Sequence, residues 1–376
     1  MRLSIRSRLF ILFMVPLAFF LVREGINFNK NYSDYKLYKS QQQNIRLMGV
    51  TGDLVTALQR ERGLSSIFAS SGKEGDKIEA ERTKVDSELD RWLKDASQAA
   101  YLTDEREQVS QELKSARALV DTRGFTTFYD VFDAYTDLIN TLLGVSNKAV
   151  NQPTIGGIGK VMSSMGILMQ AQESIAATRG LLGSILSGQH HITDKKRLLD
   201  LIETYEGFEN NLNSPAIIFS SETQKAITDL KSSEAYSIIE NSLFDVFVKN
   251  MSGNWGTGYT TSYEVLWDKG TGLVNDLSTT VKAELGKLID RSVQMDNKYS
   301  AGFFVIIVLV MIMVLGIISS GLIFANSIRT PVVQVMDTFD SIARGEGDLS
   351  REITIRDSSE LGKMAQYFNS FTTQLS

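Results

Sequence analysis

The sequence contains no cysteine and only two histidines, which are adjacent at His190 and His191. Without cysteine the chain can form neither a disulfide nor a thiolate metal site. The two histidines also lack the spacing of three or four residues that would bring metal ligands to one helix face. We therefore expect no metal, no cofactor and no enzymatic centre that depends on cysteine or histidine.

Positive charge is also scarce. Lysine and arginine together number 39 against 44 acidic residues, which gives a formal net charge of −5. Proteins that bind nucleic acid usually present a strongly basic face. We therefore expect no nucleic-acid partner.

Proline is the third scarce residue, with four in the chain, at Pro16, Pro153, Pro215 and Pro331. A proline inside a helix removes a hydrogen bond and costs about 3 kcal/mol, so the long stretches without proline allow long helices. Apart from Pro16, the prolines fall where the pattern already predicts a helix break. No alternation of apolar and polar residues persists long enough to predict a sheet, and we expect an all-α protein.

Two apolar runs have the composition of membrane-crossing segments. Residues 301–325 carry no charged side chain over about 25 residues, which is long enough for a hydrocarbon core of about 30 Å. The apolar run after Arg8 is shorter and fits either a cleaved signal peptide or an uncleaved anchor. No small-residue cleavage site occurs at Phe19–Arg23, so we favour an anchor that spans residues 9–28.

Arginines give the two predicted spans a direction. Arg2, Arg6 and Arg8 precede the first span, and Arg329 follows the second. Positive residues flank membrane spans on the cytoplasmic side, which predicts a multi-pass protein of the bacterial inner membrane with a periplasmic sensor. The predicted order is a cytoplasmic N-terminus at 1–8, a transmembrane helix at 9–28, the sensor at 29–300, a transmembrane helix at 301–325 and a cytoplasmic module at 326–376.

The predicted sensor is helical, because its apolar residues recur at steps of three and four. Eight helices suit two packed four-helix bundles, or one long bundle with inserted turns. The predicted helices lie near 32–70, 76–100, 104–121, 125–148, 160–188, 193–212, 217–250 and 257–300.

A short motif occurs twice in this region. The first copy, QRERGLSSIFASSG, contains Arg62 and Gly63, and the second, ATRGLLGSILSG, contains Arg179 and Gly180. Each copy follows a long helical run, which is typical of an internal duplication. Helical periodicity places both arginines on the inward face, and the glycine after each lets another backbone or a ligand come close.

A buried guanidinium keeps its charge and needs a counter-anion. One source is a structural ion pair with an inward-facing carboxylate. The other is a small bound anion held by arginines from both copies, because the planar guanidinium matches planar oxyanions through paired hydrogen bonds. The residues alone leave both sources open. The carboxylates available for an ion pair are Glu173, Asp200, Glu203 and Glu206.

Other arginines and aromatic residues of the region are interpreted as structural. The arginines with acidic neighbours predict solvated faces; they are Arg82, Arg91, Arg106, Arg117 and Arg123. The aromatic side chains with helical spacing predict core packing; they are Phe125, Phe128, Tyr129, Phe132 and Tyr135.

Three segments resemble the nitrate- and nitrite-sensing (NIT) family. The matching segments are RERGLS at 60–65, RGL at 179–181 and YEVLW at 263–267. The resemblance covers roughly residues 40–290 and implies an all-helical pair of bundles that uses arginines to bind nitrate or nitrite. It implies that Arg62 and Arg179 are ligands of the anion, with Gly63 and Gly180 beside them.

Two further arginines enter the site through this resemblance. Arg60 is a weaker ligand candidate, because it points about 160° away from Arg62 around the helix. The family uses an additional arginine later in the chain, but this sequence has none between Arg197 and Arg291. Either Arg197 serves, or the site is completed differently, or the ligand differs.

Residues 326–376 contain two helical seams with a polar stretch between them. The apolar seam residues are Ile328, Val332, Val335, Phe339 and Ile342, followed by Leu361, Met364, Phe368, Phe371 and Leu375. Pro331, the turn at Gly345–Ser350 and the segment Glu360–Gly362 resemble the HAMP linker, which implies a parallel coiled coil. We expect a homodimer, because a lone pair of these helices would expose its apolar stripe.

The combined expectation is a homodimeric transmembrane chemoreceptor that senses nitrate, nitrite or a similar small anion. The segments Gly345–Ser350 and Tyr367–Phe371 resemble linkers of methyl-accepting chemotaxis receptors. This implies chemotaxis signalling partners reached through a domain beyond Ser376. Two alternatives stay open: a sensor histidine kinase or cyclic-nucleotide enzyme with the same sensor, and a membrane-anchored helical interaction protein without a small ligand.

Overall fold

The computed structural model describes residues 5–253, 258–344, 353 and 360–375, and these residues form helices with no strand among them. The all-α prediction is confirmed. The helices are α1 (Ile5–Ser71), α2 (Gly75–Ala96), α3 (Glu105–Asp121), α4 (Phe128–Val150), α5 (Ile158–Gly188), α6 (Lys195–Leu212), α7 (Ser221–Lys231), α8 (Glu234–Ser252), α9 (Tyr263–Ala343) and α10 (Glu360–Leu375).

The chain divides into two compact units. The first, Asp34–Asn297, is the sensor region, and the second joins Met1–Ser33 with Lys298–Ser376. The sensor unit contains one continuous apolar core, to which all of its helices contribute side chains. The core therefore fixes the arrangement of the helices that carry the two copies of the repeated motif.

Helices α1 to α4 form one group in the sensor unit. Arg46 on α1 pairs with Asp95 on α2 at 2.7 Å, and Lys148 on α4 pairs with Glu105 on α3. The indole of the fully buried Trp92 donates a hydrogen bond to Thr51 Oγ1 at 3.0 Å, which fixes α2 against α1.

Helices α5 to α9 form the second group. Tyr205 on α6 and Tyr236 on α8 share a hydrogen bond of 2.8 Å between their hydroxyls, and Lys269 on α9 pairs with Glu234 on α8 at 2.8 Å. Each group begins with a helix that carries one copy of the repeated motif, α1 in the first group and α5 in the second. The second group has five helices where the sequence predicted a four-helix bundle, because one predicted helix is divided into α7 and α8.

The prediction of a single helix over 217–250 is wrong, because the structure contains two helices there, α7 and α8. Helical structure is interrupted at Ser232 and Ser233. The Ser233 side chain accepts a hydrogen bond from the Tyr236 backbone N–H at 3.2 Å. Ser220 caps α7 in the same way through Thr223. A serine at this position stabilises a helix start by about 1 kcal/mol, so each cap favours a new helix over the continuation of the old one.

Two helices have residues in both units. Helix α1 has 67 residues and contains Pro16, and α9 has 81 residues. The backbone of α9 stays helical through Pro331, where a break was predicted. A stretch of α9 has a mean hydropathy of 3.2, none of it is buried, and it is long enough to cross a membrane. The other predicted span, 9–28, lies in α1; the side chains of residues 1–14 and 17 lie outside the described part of the structure.

The described part of the HAMP-like region contains a small apolar cluster. The cluster consists of Val335, Ile353, Ala365 and Phe368. Phe339 meets Phe368 edge to face, with ring centroids 4.8 Å apart. The Asn369 side chain accepts a hydrogen bond from the Ile353 N–H at 2.9 Å and donates one to the Ile353 carbonyl at 3.1 Å. The predicted turn at Gly345–Ser350 lies outside the described residues.

Candidate functional site: two buried arginines

Helices α1 and α5 meet at the glycines of the repeated motif. A Cβ atom on Gly180 would lie 3.9 Å from the Cα atom of Gly63 and 3.3 Å from the Phe132 ring. A Cβ atom on Gly63 would lie 2.3 Å from the Trp267 ring, closer than any real Cβ contact. Only glycine fits at position 63 unless Trp267 moves, so Gly63 allows the Trp267 ring of α9 to lie against α1 at the point where α5 also passes.

Arg62 of α1 is fully buried and has a carboxylate partner. Its Nη1 atom donates hydrogen bonds to Glu173 Oε1 at 2.5 Å and to Thr136 Oγ1 at 3.0 Å. Its guanidinium lies over the Phe132 ring, with the Cζ atom 4.7 Å from the ring centroid. For Arg62, therefore, the structure contains the ion pair with Glu173 that the sequence offered as one source of compensation.

Arg179 of α5 is also fully buried, but it makes no ion pair with any carboxylate of the described residues. Its Nη1 donates to Thr271 Oγ1 at 3.1 Å, and its Nη2 donates to the Gln59 carbonyl at 3.0 Å. Its guanidinium lies 4.4 Å from the Trp267 ring centroid. Burial, and then the positive charges of Arg62 and Arg60, lower the pKa of Arg179 to about 9. Arg179 is thus a buried cation whose direct contacts are dipoles and a ring, while the carboxylates of Glu173 and Glu81 act on it without forming an ion pair.

The surroundings of the two arginines repeat. Arg62 contacts a ring and a threonine four residues apart on α4, Phe132 and Thr136, and Arg179 contacts the same combination on α9. The hydroxyls of Ser70 and Ser187, which are 117 residues apart, contact each other at 3.4 Å. The two arginines have the same separation, so equivalent positions of α1 and α5 face each other, as an internal duplication requires.

The two copies differ at one position beside the arginines, and because of this difference Arg179 has no carboxylate partner. The separation of 117 residues relates Glu173 to Thr56. Glu173 reaches across from α5 to Arg62 on α1, whereas Thr56 on α1 carries no charge toward Arg179 on α5. Two positive charges and one negative charge are therefore buried together.

Gln59 connects the two arginines. Its side-chain amide donates to Glu173 Oε2 at 2.9 Å, while its backbone carbonyl accepts from Arg179. The Gln172 side chain in turn donates to Gln59 Oε1 at 3.2 Å and to Thr56 Oγ1 at 2.9 Å. This network fixes the Glu173 carboxylate on one side of the Arg62 guanidinium.

Three donors of the arginines have no hydrogen-bond partner among the described residues: Nε and Nη2 of Arg62, and Nε of Arg179. Nε and Nη2 lie on the same edge of a guanidinium and form the fork that binds planar oxyanions with two parallel hydrogen bonds. Buried donors without a partner are costly and rare in folded proteins. The arrangement is therefore suited to hold an anion.

The structure does not bring Arg60 and Arg197 into this group. Arg60 donates to Asn275 Oδ1 at 2.5 Å and lines a polar cavity of about 500 Å³ between α1, α2 and α9. Arg197 donates to both carboxylate oxygens of Asp133, at 2.8 and 3.3 Å, and lies over the Tyr129 ring. Neither side chain shares a hydrogen-bond partner with Arg62 or Arg179.

Comparison with known families decides the class of the protein. Residues 53–289 match the family described as nitrate and nitrite sensing (NIT), and residues 323–376 match the HAMP domain. The first match covers more than half of the chain. The chain belongs to the NIT family. A NIT sensor followed by a HAMP domain is a signalling receptor for nitrate or nitrite.

Two individual proteins are similar to this NIT protein, one over a short stretch of the sequence and one over most of the fold. A stretch of 55 residues is 40% identical to the methyl-accepting chemotaxis protein CtpM of Pseudomonas aeruginosa; it covers 15% of this chain and 10% of that protein. The structure of the NasR transcription antiterminator has a TM-score of 0.61 and 14% sequence identity, covering 94% of this chain and 95% of that one. At this identity the likeness to NasR concerns the fold alone.

Several residues of the candidate site were not predicted from the sequence. Gln59 and Thr136 were not singled out, and Phe132 was assigned to the core without a role beside Arg62. A usable signal was present, since an aromatic residue followed four positions later by threonine occurs at Phe132 and again at Trp267. Two of the arginines interpreted as solvated, Arg82 and Arg117, are mostly buried and face Glu61. That interpretation was wrong for these two.

Proposed function

We propose that the chain is the sensing and relaying part of a transmembrane chemoreceptor, and that nitrate or nitrite binds between Arg62 and Arg179. The observation that carries the proposal is the buried guanidinium of Arg179, which forms no ion pair among the described residues, together with the three arginine donors without hydrogen-bond partners. A singly charged planar anion would supply the missing negative charge and the missing acceptors together.

The open edge of Arg62 defines the proposed position of the anion. Two oxygens would accept from Nε and Nη2 of Arg62, and the third acceptor position would face Nε of Arg179. Both guanidinium groups are shielded from solvent. Coulomb attraction is stronger in such surroundings than in water, so a small anion could be bound there in competition with bulk solvent.

The proposed signal passes along the long helices. An anion bound by both arginines would pull α1 and α5 together at Gly63 and Gly180, where the backbones already meet. Helices α1 and α9 continue from the sensor into the segments predicted to span the membrane, 9–28 and 301–325. A small shift of these helices would bias the packing of the HAMP seam, provided that the anion prefers one of the two arrangements.

The location and partners belong to the same proposal. Positive residues at the cytoplasmic ends of both spans support a periplasmic sensor in the inner membrane. The two apolar seams of the HAMP region support a homodimer. The chain spans a tenth of CtpM, and this short similarity supports a chemotaxis output more than a kinase or cyclic-nucleotide enzyme.

The test is an anion screen by thermal unfolding of the full chain in lipid nanodiscs. Nitrate, nitrite, chloride, sulfate and organic acids are added at millimolar concentrations. We expect nitrate or nitrite to raise Tm, since a ligand at about 100 times its Kd stabilises by about 2.7 kcal/mol. The rise should vanish in Arg179→Met and persist in Arg46→Met, a matched change on the exposed side of α1. The absence of any nitrate-dependent rise in the wild type would contradict the proposal.

A further inference from the structure

The charge balance of the site depends on one acidic residue. Glu173 is almost fully buried, and both of its carboxylate oxygens are occupied, one by Arg62 and the other by Gln59. With Arg62 and Arg179 positive and Glu173 negative, the site has a net charge of +1. Arg60 and Glu81, which also act on Arg179, pair with each other and add one charge of each sign. A buried site is best occupied by a ligand that brings the total charge close to zero.

Glu173 neutralises Arg62 without closing the binding edge. A bidentate ion pair would use Nη2 together with either Nε or Nη1 of the guanidinium. Glu173 instead accepts from Nη1 alone, a donor that also serves Thr136. The fork of Arg62 thus stays open, and the carboxylate removes one positive charge from the site while leaving its geometry available.

We propose that Glu173 determines the ligand's charge, so that the site accepts singly charged oxyanions and rejects doubly charged ones such as sulfate. This inference rests on the proposed function and adds to it the residue that selects the ligand class. Bound sulfate would leave one uncompensated negative charge close to the Glu173 carboxylate, in surroundings that water does not reach. Bound nitrate would leave none.

The repeat provides a second position, Thr56, at which the charge of the site can be changed. Thr56 occupies the position equivalent to Glu173 and lies one helical turn before Gln59, whose carbonyl accepts from Arg179. Thr56 also lines the polar cavity of about 500 Å³, so a longer side chain has space on the side of α1 that carries Arg60. A glutamate at position 56 should reach Arg179 as Glu173 reaches Arg62, and it would bring the site to a net charge of zero.

The first experiment measures binding of nitrate and sulfate to the full chain in nanodiscs by isothermal titration, for the wild type and Glu173→Gln. We expect the ratio of the sulfate Kd to the nitrate Kd to fall by about tenfold or more in the variant, because the site charge rises to +2. An unchanged ratio, with nitrate still bound, would overturn the role of Glu173 and leave the proposed function standing. A wild type that binds no nitrate would overturn both.

The second experiment tests the same inference without changing Glu173, and it decides the matter if the Glu173→Gln protein fails to fold. Thr56→Glu should weaken nitrate binding by about tenfold or more, whereas Thr56→Gln, with the same length and no charge, should weaken it much less. Equal losses in the two variants would show that bulk rather than charge matters at this position, and the inference would be rejected.

Discussion

Arg179 and Gln59 are joined by a hydrogen bond of 3.0 Å from the Nη2 atom of the guanidinium to the backbone carbonyl. This contact ties the side chain of α5 to the main chain of α1. The Gln59 side chain also holds Glu173, the counter-ion of Arg62. A change in the charge around Arg179 is therefore transmitted to the helix that carries the other arginine.

Replacing Arg179 by methionine is expected to stabilise the unliganded protein. A buried charge without a counter-ion is costly, and an apolar residue of similar volume removes this cost together with the repulsion from Arg62. We expect Tm without anion to rise, by an amount equivalent to about 1 kcal/mol or more. The exposed change Arg91→Met should shift stability by less than about 0.5 kcal/mol. A lower Tm in Arg179→Met would mean that its dipole contacts compensate the charge fully.

The close contact at Gly63 predicts opposite effects for two glycine substitutions. Gly63→Ala forces Trp267 to move and should destabilise the protein by about 1–3 kcal/mol. Gly144→Ala, inside α4 with nothing within 4 Å of the new methyl group, should stabilise it by about 0.5–1 kcal/mol. Chemical unfolding of both variants measures the difference. Similar effects of the two substitutions would argue against the close contact of Gly63 with the Trp267 ring.

Glu61 anchors the other side of α1 and should be essential for stability. It is fully buried and accepts hydrogen bonds from Arg117 at 2.7 and 2.9 Å and from the Tyr135 hydroxyl at 2.7 Å. Burial and the negative charge of Glu61 raise the pKa of Tyr135. Glu61→Gln leaves Arg117 without its main counter-ion and should cost about 2 kcal/mol or more in unfolding free energy. Glu107→Gln, on the exposed face of α3, serves as the control and should change little.

The stability of the second helix group should depend on pH through the ionisation of Glu284. Burial acts to raise the pKa of this carboxyl, but hydrogen bonds from Thr223 and Ser220 outweigh it and hold the pKa below its usual value of 4.5. A lowered folded-state pKa contributes stability above pH 4.5 that is lost as pH falls through the folded pKa. Glu284→Gln should therefore destabilise the protein more at pH 7 than at pH 3, which lies below the usual pKa of 4.5. An equal loss at both values would show that the charge of Glu284 is not the stabilising feature.

The sequence was sufficient for the helical class, because the scarcity of proline and the apolar periodicity are properties of local segments. It also singled out Arg62 and Arg179, since a charged residue on an inward face is unusual wherever it occurs. The sequence could not show that Arg62 has a carboxylate partner and Arg179 has none. That difference depends on which side chains of α5 and α1 face each arginine across the helix contact, Glu173 at one and Thr56 at the other. The ion pairs of Glu61 with Arg82 and Arg117 were missed for the same reason. The break at Ser232 and Ser233 was missed although capping serines mark it.

The most direct test of the account is a count of bound nitrate. Equilibrium dialysis of isotopically labelled nitrate against the full chain in nanodiscs would be compared for the wild type, Arg179→Met and Arg197→Met. The account predicts one nitrate per chain in the wild type, none in Arg179→Met, and one in Arg197→Met, because Arg197 is engaged by Asp133. Unchanged nitrate binding in Arg179→Met would contradict the central claim that the two buried arginines form the anion site.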